Sequence, residues 1–366
     1  GSNNTANGSY ALYSNTTGSS NIANGSYALY SNTTGSSNTA IGLAALKNST
    51  SSNHTAVGYA ALEANTTGEN NVALGKHALW KNTTGSYNVG VGNQALYENL
   101  TGKYNVGVGL QALLNNTTGD YVTAVGAKTL QANTTGTGNT AVGTNALESN
   151  TTGASNTASG WNSMPANTTG SSNVAMGVHS MSANTTGGFN TAIGSSSLGL
   201  NTTGEGNTAT GNDALYNNTT GGFNIALGSN ALNGNTEGGN NVAIGYSAGR
   251  KNTSGSGNVF IGNEAGNTSS YQTASNKLVV ANSDTETPLI EGDFSAKTLK
   301  VNGGLSVTGM IRSNLSTVQV TNGQTIPVNF GTVVISANDH AALYIENGIQ
   351  DGQMLTIINS SDYTIG

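Results

Sequence analysis

A seventeen-residue period constrains this chain more than any other feature. The cadence N-T/V-A-V/I-G returns sixteen times, with its glycine running from Gly8 to Gly262. Every step is seventeen residues except the one from Gly42 to Gly58, which is sixteen. The full consensus reads N-T/V-A-V/I-G-x-x-A-L-x-x-N-T-T-G-x-x. Such self-similarity marks an array of small units that stack on one another to bury their apolar side chains.

The columns of the repeat differ in character. Thr, Val or Ile stands three before the glycine in nearly every turn (Thr39, Val72, Val106, Val242), and Val, Ile, Leu or Met mostly one before it (Ile41, Leu74, Val125, Met176). A small residue separates them, which is strand alternation. Leu or Met stands four after the glycine in fourteen turns of sixteen, as at Leu62 and Met164. These three columns are expected to form the core. The mixed columns two and five after the glycine are expected to face solvent. N-T-T-G is expected to supply a turn, because Asn and Gly tolerate positive φ. Its Asn and Thr stack once per turn and can hydrogen-bond as ladders along the array. Gly, Asn and Thr are poor helix formers, and only four to six residues separate the turn signals. The expected fold is therefore all-β, a solenoid whose coils are about 4.8 Å apart.

Ala or Gly occupies the column two before the glycine in fifteen turns of sixteen, with Phe260 the exception. Alternation places this column opposite the β-branched ones. If those face inward, it faces outward, where smallness needs a reason. Ala40, Ala73, Gly90, Gly107, Ala141, Ala175 and Ala226 are then read as a stripe along which two or three chains pack. The other reading is that Ala simply fits inside a tight coil.

Composition narrows the function. The chain has 366 residues, no Cys, 8% charged residues and a net charge of −6. Without Cys there are no disulfides and no thiolate metal sites. No basic patch recommends nucleic acid as a partner, and no apolar run reaches the roughly 20 residues of a membrane helix. The chain opens inside a repeat and is expected to be a piece of a longer protein.

The N-x-A-[VI]-G strand, repeated in register over residues 1–266, resembles the head repeat of YadA-like trimeric adhesins. The resemblance implies a left-handed parallel β-roll, three rolls to a head, displayed as an extracellular or cell-surface fibre that binds a surface ligand. Two departures stand out: the regular N-T-T-G insert, and the lack of a heptad stalk after Gly266. The same cadence is similar to trimeric tail fibres of bacteriophages and phage-derived fibres, which join a repetitive shaft to a variable tip.

Three segments follow from this. Residues 1–266 are the shaft. Residues 267–312, with Pro288 and the strand-like K-T-L-K-V-N-G-G-L-S-V-T-G, are a connector. Residues 313–366 are a β-rich, sandwich-like tip, with strands expected at Thr317–Val320, Thr325–Val328, Thr332–Ser336, Ala342–Glu346, Met354–Asn359 and near Tyr363.

The search for chemistry returns little. Glu69, Asp120 and Glu205 share a column but stand three or more turns apart, whereas paired glycosidase carboxyls need about 5–9.5 Å. His54, His77, His179 and His340 have no partner at metal-ligand spacing. No cofactor and no catalysis are expected. Exposed aromatics in the outward columns (Tyr10, Tyr13, Tyr27, Tyr30, Trp80, Tyr97, Tyr216) are candidates for ligand contact, with Trp80 and Tyr97 foremost. In the tip the candidates are the loop residues Asn338, Asp339, His340, Ser361 and Asp362. The expected function is a homotrimeric adhesin for a cell-surface glycan or protein, not inserted in a membrane. The alternatives are a structural spacer and, third, a glycan-cleaving tailspike.

Overall fold

The computed structural model describes residues 1–303 in full and, beyond them, the backbone of five short strands. The chain divides into two compact units, Gly1–Gly303 and Gly304–Gly366.

The first unit is a β-solenoid. Sixteen three-residue strands, β1 (Thr5–Asn7) through β16 (Val259–Ile261), stack in sequence order. Each pairs in parallel with the next, one repeat on, so that Thr140, Ala141 and Val142 face Thr157, Ala158 and Ser159. The sixteen-residue coil keeps the register, with Ala40 opposite Ala56. At about 4.8 Å per coil the array is roughly 75 Å long. It does not stop at the last repeat. After a 3-10 turn at Ser269–Tyr271, β17 (Lys277–Val280) adds to β16 in parallel. Then β18 (Ile290–Asp293) and β19 (Thr298–Val301) extend the sheet antiparallel.

The alternation read from the sequence holds, but its sense is reversed. Ala40, Ala73, Ala141, Ala175 and Ala226 are wholly buried inside their own coil, and Gly90 and Gly107 are buried with them. This column is no stripe for packing chains. The β-branched columns face out: Met176 is 45% exposed and Ile244 is 41%. The cause is the bore of the coil. A Cβ on Gly90 would stand 3.3 Å from both Leu79 Cγ and the carbonyl oxygen of Ala95. The Leu or Met of the preceding coil already fills that space, so a methyl fits and an isopropyl does not.

Two buried asparagine columns complete the interior. The first Asn of N-T-T-G donates its side-chain amide to the Oδ1 of the same Asn one coil earlier. These bonds run unbroken at 2.7–2.9 Å from Asn65 to Asn235. The Asn that opens the cadence works differently. Asn139 Oδ1 accepts the backbone N–H of Asn156 at 2.9 Å, and the Asn156 amide donates to the carbonyl of Gly170 at 2.9 Å. A third row uses hydroxyls, as where Thr134 Oγ1 donates to the carbonyl of Thr151 at 3.0 Å. Because the N-T-T-G asparagines from Asn32 onward are fully buried, their match to a glycosylation sequon is a product of coil chemistry.

Positive φ is not where the turn reading placed it. Beside the cadence glycines themselves (Gly143 φ 127), the left-handed residues are those two, four and, in the seventeen-residue coils, twelve after them, including the whole leucine column (Leu12 φ 52, Leu147 φ 52). The N-T-T-G glycine answers to crowding instead. A Cβ on Gly153 would lie 2.5 Å from Asn150 Oδ1.

In the second unit Val318–Gln319 pairs in parallel with Thr332–Ser336, which also pairs in parallel with Thr356–Asn359. Thr325–Ile326 pairs in parallel with Tyr344–Ile345. All five strands fall inside segments read as strands from the sequence.

Candidate functional site

The outer face of the stacked strands runs the length of the sixteen coils. Alternation projects the columns three and one before the glycine onto it; the first holds Val or Ile in eight coils and Thr in eight, and the second holds Val, Ile, Leu or Met except at Asn7, Asn24, Ser159 and Thr210. Among them Ile22, Ile41, Leu74, Val125, Val142, Ile193, Ile225 and Ile261 count as exposed. The face carries few charges, so little opposes its contact with another apolar surface.

The aromatic candidates separate into two kinds. Trp80 and Tyr97 do come together, ring centroids 4.9 Å apart, and His77 stands 5.5 Å from Trp80. Tyr59 meets His77 at 5.1 Å. However, the polar groups of this cluster are already paired. Trp80 Nε1 donates to Glu63 at 2.8 Å. Lys81 donates to both Glu98 oxygens at 2.8 and 2.9 Å while lying over the Trp80 and Tyr97 rings. Burial, then the Lys76 charge, holds the His77 imidazole below its ordinary pKa. The arrangement ties successive coils together and leaves few free groups to orient a ligand.

The second kind is open. Tyr87, Tyr104 and Tyr121 form a ladder with centroids 5.1 Å apart at both steps and planes within 5°. Tyr10 stacks on Tyr27 and Tyr13 on Tyr30. Phe189, at 71%, and Phe223 are also exposed. The sequence reading passed over Tyr87, Tyr104, Tyr121 and the two phenylalanines, although tyrosine recurring at a spacing of seventeen was the available signal.

Among the described residues, the shortened coil holds a buried cluster with chemical potential. Ser49, Ser51 and His54 replace Asn, Gly and Asn of the consensus. His54 is 1% exposed. Its Nδ1 accepts the backbone N–H of Asn71 at 3.2 Å, and its Nε2 lies 2.9 Å from Ser51 Oγ. Ser51 in turn donates to the carbonyl of Gly68 at 2.5 Å. With Nδ1 accepting, the ring proton sits on Nε2 and points at the serine. His54 is therefore not oriented as a base toward Ser51. Burial lowers the His54 pKa to about 4. The pair maintains the ladder.

Among the described residues no three His, Cys, Asp or Glu side chains gather as a metal site, and no helix is long and apolar enough to cross a membrane. Asn338, Asp339, His340, Ser361 and Asp362 lie outside the described residues. Comparison with protein-family models, with curated proteins and with solved structures finds no match.

Proposed function

We propose that this chain is the subunit of a homotrimeric fibrous adhesin, a left-handed β-roll shaft that carries a β-rich tip to a cell-surface glycan or protein without catalysis. The observation that carries the reading is the uncharged outer face of the sheet, sixteen strands long, whose column one before the glycine is Val, Ile, Leu or Met in twelve coils. A surface of that length and character is a liability on a lone chain in water, and packing copies against one another removes it. A parallel, in-register bundle suits a repeat whose faces are the same at every height. The extracellular fibre setting and the surface ligand rest on the resemblance of the repeat to trimeric adhesin heads and tail fibres. Ligand contact is assigned to Asn338, Asp339, His340, Ser361 and Asp362 of the tip, with Trp80 and Tyr97 secondary, since their cluster is internally paired.

Two measurements test the reading. Light scattering of the purified chain should return three times the monomer mass, and a stable monomer would overturn it. Binding to whole cells should survive alanine at Tyr97 and fall when the tip loops are replaced. Equal binding after loop replacement would leave the chain as a spacer.

A further inference from the structure

From the stacked tyrosines we infer a modification site: Tyr87, Tyr104 and Tyr121 are placed for oxidative coupling into dityrosine, a covalent staple between successive coils of a chain that has no cysteine. The backbone holds the three residues alike. Their φ angles are 60, 58 and 57°, and Tyr104 N–H donates to the carbonyl of Ser86 as Tyr121 N–H does to Lys103, both at 3.1 Å. Identical backbones one coil apart aim the side chains alike, so the rings lie parallel at 5.1 Å, with planes 4° and 5° apart. All three are open to solvent, at 50%, 47% and 65%. An oxidant can reach them, and each ring has room to turn toward its neighbour. The pairs Tyr10–Tyr27 and Tyr13–Tyr30, at 5.2 and 5.4 Å, repeat the arrangement.

The chemistry needs a one-electron oxidant, such as a haem peroxidase with hydrogen peroxide. Each phenol loses an electron and its hydroxyl proton. The resulting phenoxyl radicals carry spin on the carbons ortho to the oxygen. One carbon–carbon bond forms between two ortho Cε atoms, and each ring then moves its ortho hydrogen to the oxygen, restoring the phenol. Two tyrosines have lost two electrons and two protons, and one peroxide has become two waters. Holding the partners in register turns a bimolecular encounter into a local one. The staple closes a seventeen-residue loop, which restricts the unfolded chain. It works independently of the adhesin reading, because it joins coils of one chain.

The test is peroxidase and peroxide on the full chain, with equal parts isotope-labelled and unlabelled protein. Mass spectrometry should find Tyr87–Tyr104 or Tyr104–Tyr121 peptides joined with loss of two hydrogens, both halves from the same isotope pool, in chains that keep the monomer mass under denaturing conditions. The melting temperature should rise with the yield. Y104F should abolish links in this ladder, because Tyr87 and Tyr121 are then two coils apart. Phe189 occupies the same column, so that substitution suits the fold. Y59F should change nothing, since Tyr59 meets His77 edge-on rather than another tyrosine. The inference fails if free tyrosine couples in the same tube while these peptides stay unlinked. It fails equally if the links join labelled to unlabelled chains, or if they form as often at Tyr59 or Tyr246.

Discussion

At the residue scale, two departures from expectation have measurable consequences. His54 is neutral in the folded shaft because burial takes its pKa from 6.5 to about 4, and its Nδ1 accepts the Asn71 N–H. The unfolded chain binds that proton more readily, so the contribution is whole above pH 6.5 and is lost as the pH falls toward 4. A shift of this size corresponds to about 3 kcal/mol. H54N restores the consensus side chain, and thermal melts from pH 8 to pH 4 should show its stability falling less than that of the natural chain. The left-handed columns give a second test. None of the residues two, four or twelve after the cadence glycine is β-branched, in keeping with the steric cost of that region for branched side chains. At exposed Lys128 (φ 55), valine should cost about 1–2 kcal/mol in urea unfolding and glycine should be neutral or mildly stabilising.

At the scale of the coil, polar ladders and a narrow apolar bore share the work. Ladder bonds are directional, so one missing member leaves a stranded atom. Ser49 leaves Asn32 Oδ1 without a partner, and the break after Asn235 leaves its Oδ1 likewise. Such breaks locate the weaker coils. The closing coils show a compensated exchange. Phe260 stands where other coils have Ala or Gly, while Gly249 and Gly266 stand where they have Leu or Met. A Cβ on Gly249 would lie 2.5 Å from Phe260 Cδ2, and the Phe260 ring also meets Tyr271 edge-on at 6.0 Å. F260A should therefore open a cavity and cost about 3–5 kcal/mol. G249L alone should be destabilising by overpacking. The double variant F260A/G249L should recover much of the loss, since Leu occupies the same left-handed site in earlier coils. Strictly additive losses in denaturant unfolding would contradict this account.

For the whole molecule, the proposed assembly rests on the outer face of the stacked strands. V106K/V108K puts two ammonium groups on that face without touching the bore. The scattering mass should drop, whereas N115K, at an exposed turn position, should leave it unchanged. An unaltered mass for V106K/V108K would remove the sheet face from the assembly. With charged residues at 8% of the chain, the shaft depends on burial and hydrogen bonds, and its stability should respond weakly to salt.

The sequence by itself determined the period, the all-β class, the stacking of coils, the alternation within each strand and five strand segments after residue 313, the sixth, near Tyr363, lying outside the described residues. Each of these is local or follows from translation, since copies in register can only be stacked. It also marked Trp80 and Tyr97, which do meet. What it left undecided was which side of the strand is inside. Two apolar columns and one small column satisfy alternation with either sense, and size alone favoured the bulky pair. Only the closed coil shows that the interior is too narrow for Val or Ile beside the leucine and asparagine columns. The same closure explains why Leu147 is left-handed, why Gly153 is a glycine without positive φ, and why Trp80 and Tyr97 are spent on Glu63, Lys81 and Glu98. Several of these are contacts between residues seventeen apart that meet across successive coils, as Trp80 meets Glu63 and Lys81 meets Glu98. Strand propensity does not carry that information, because it depends on the curvature of the backbone between them.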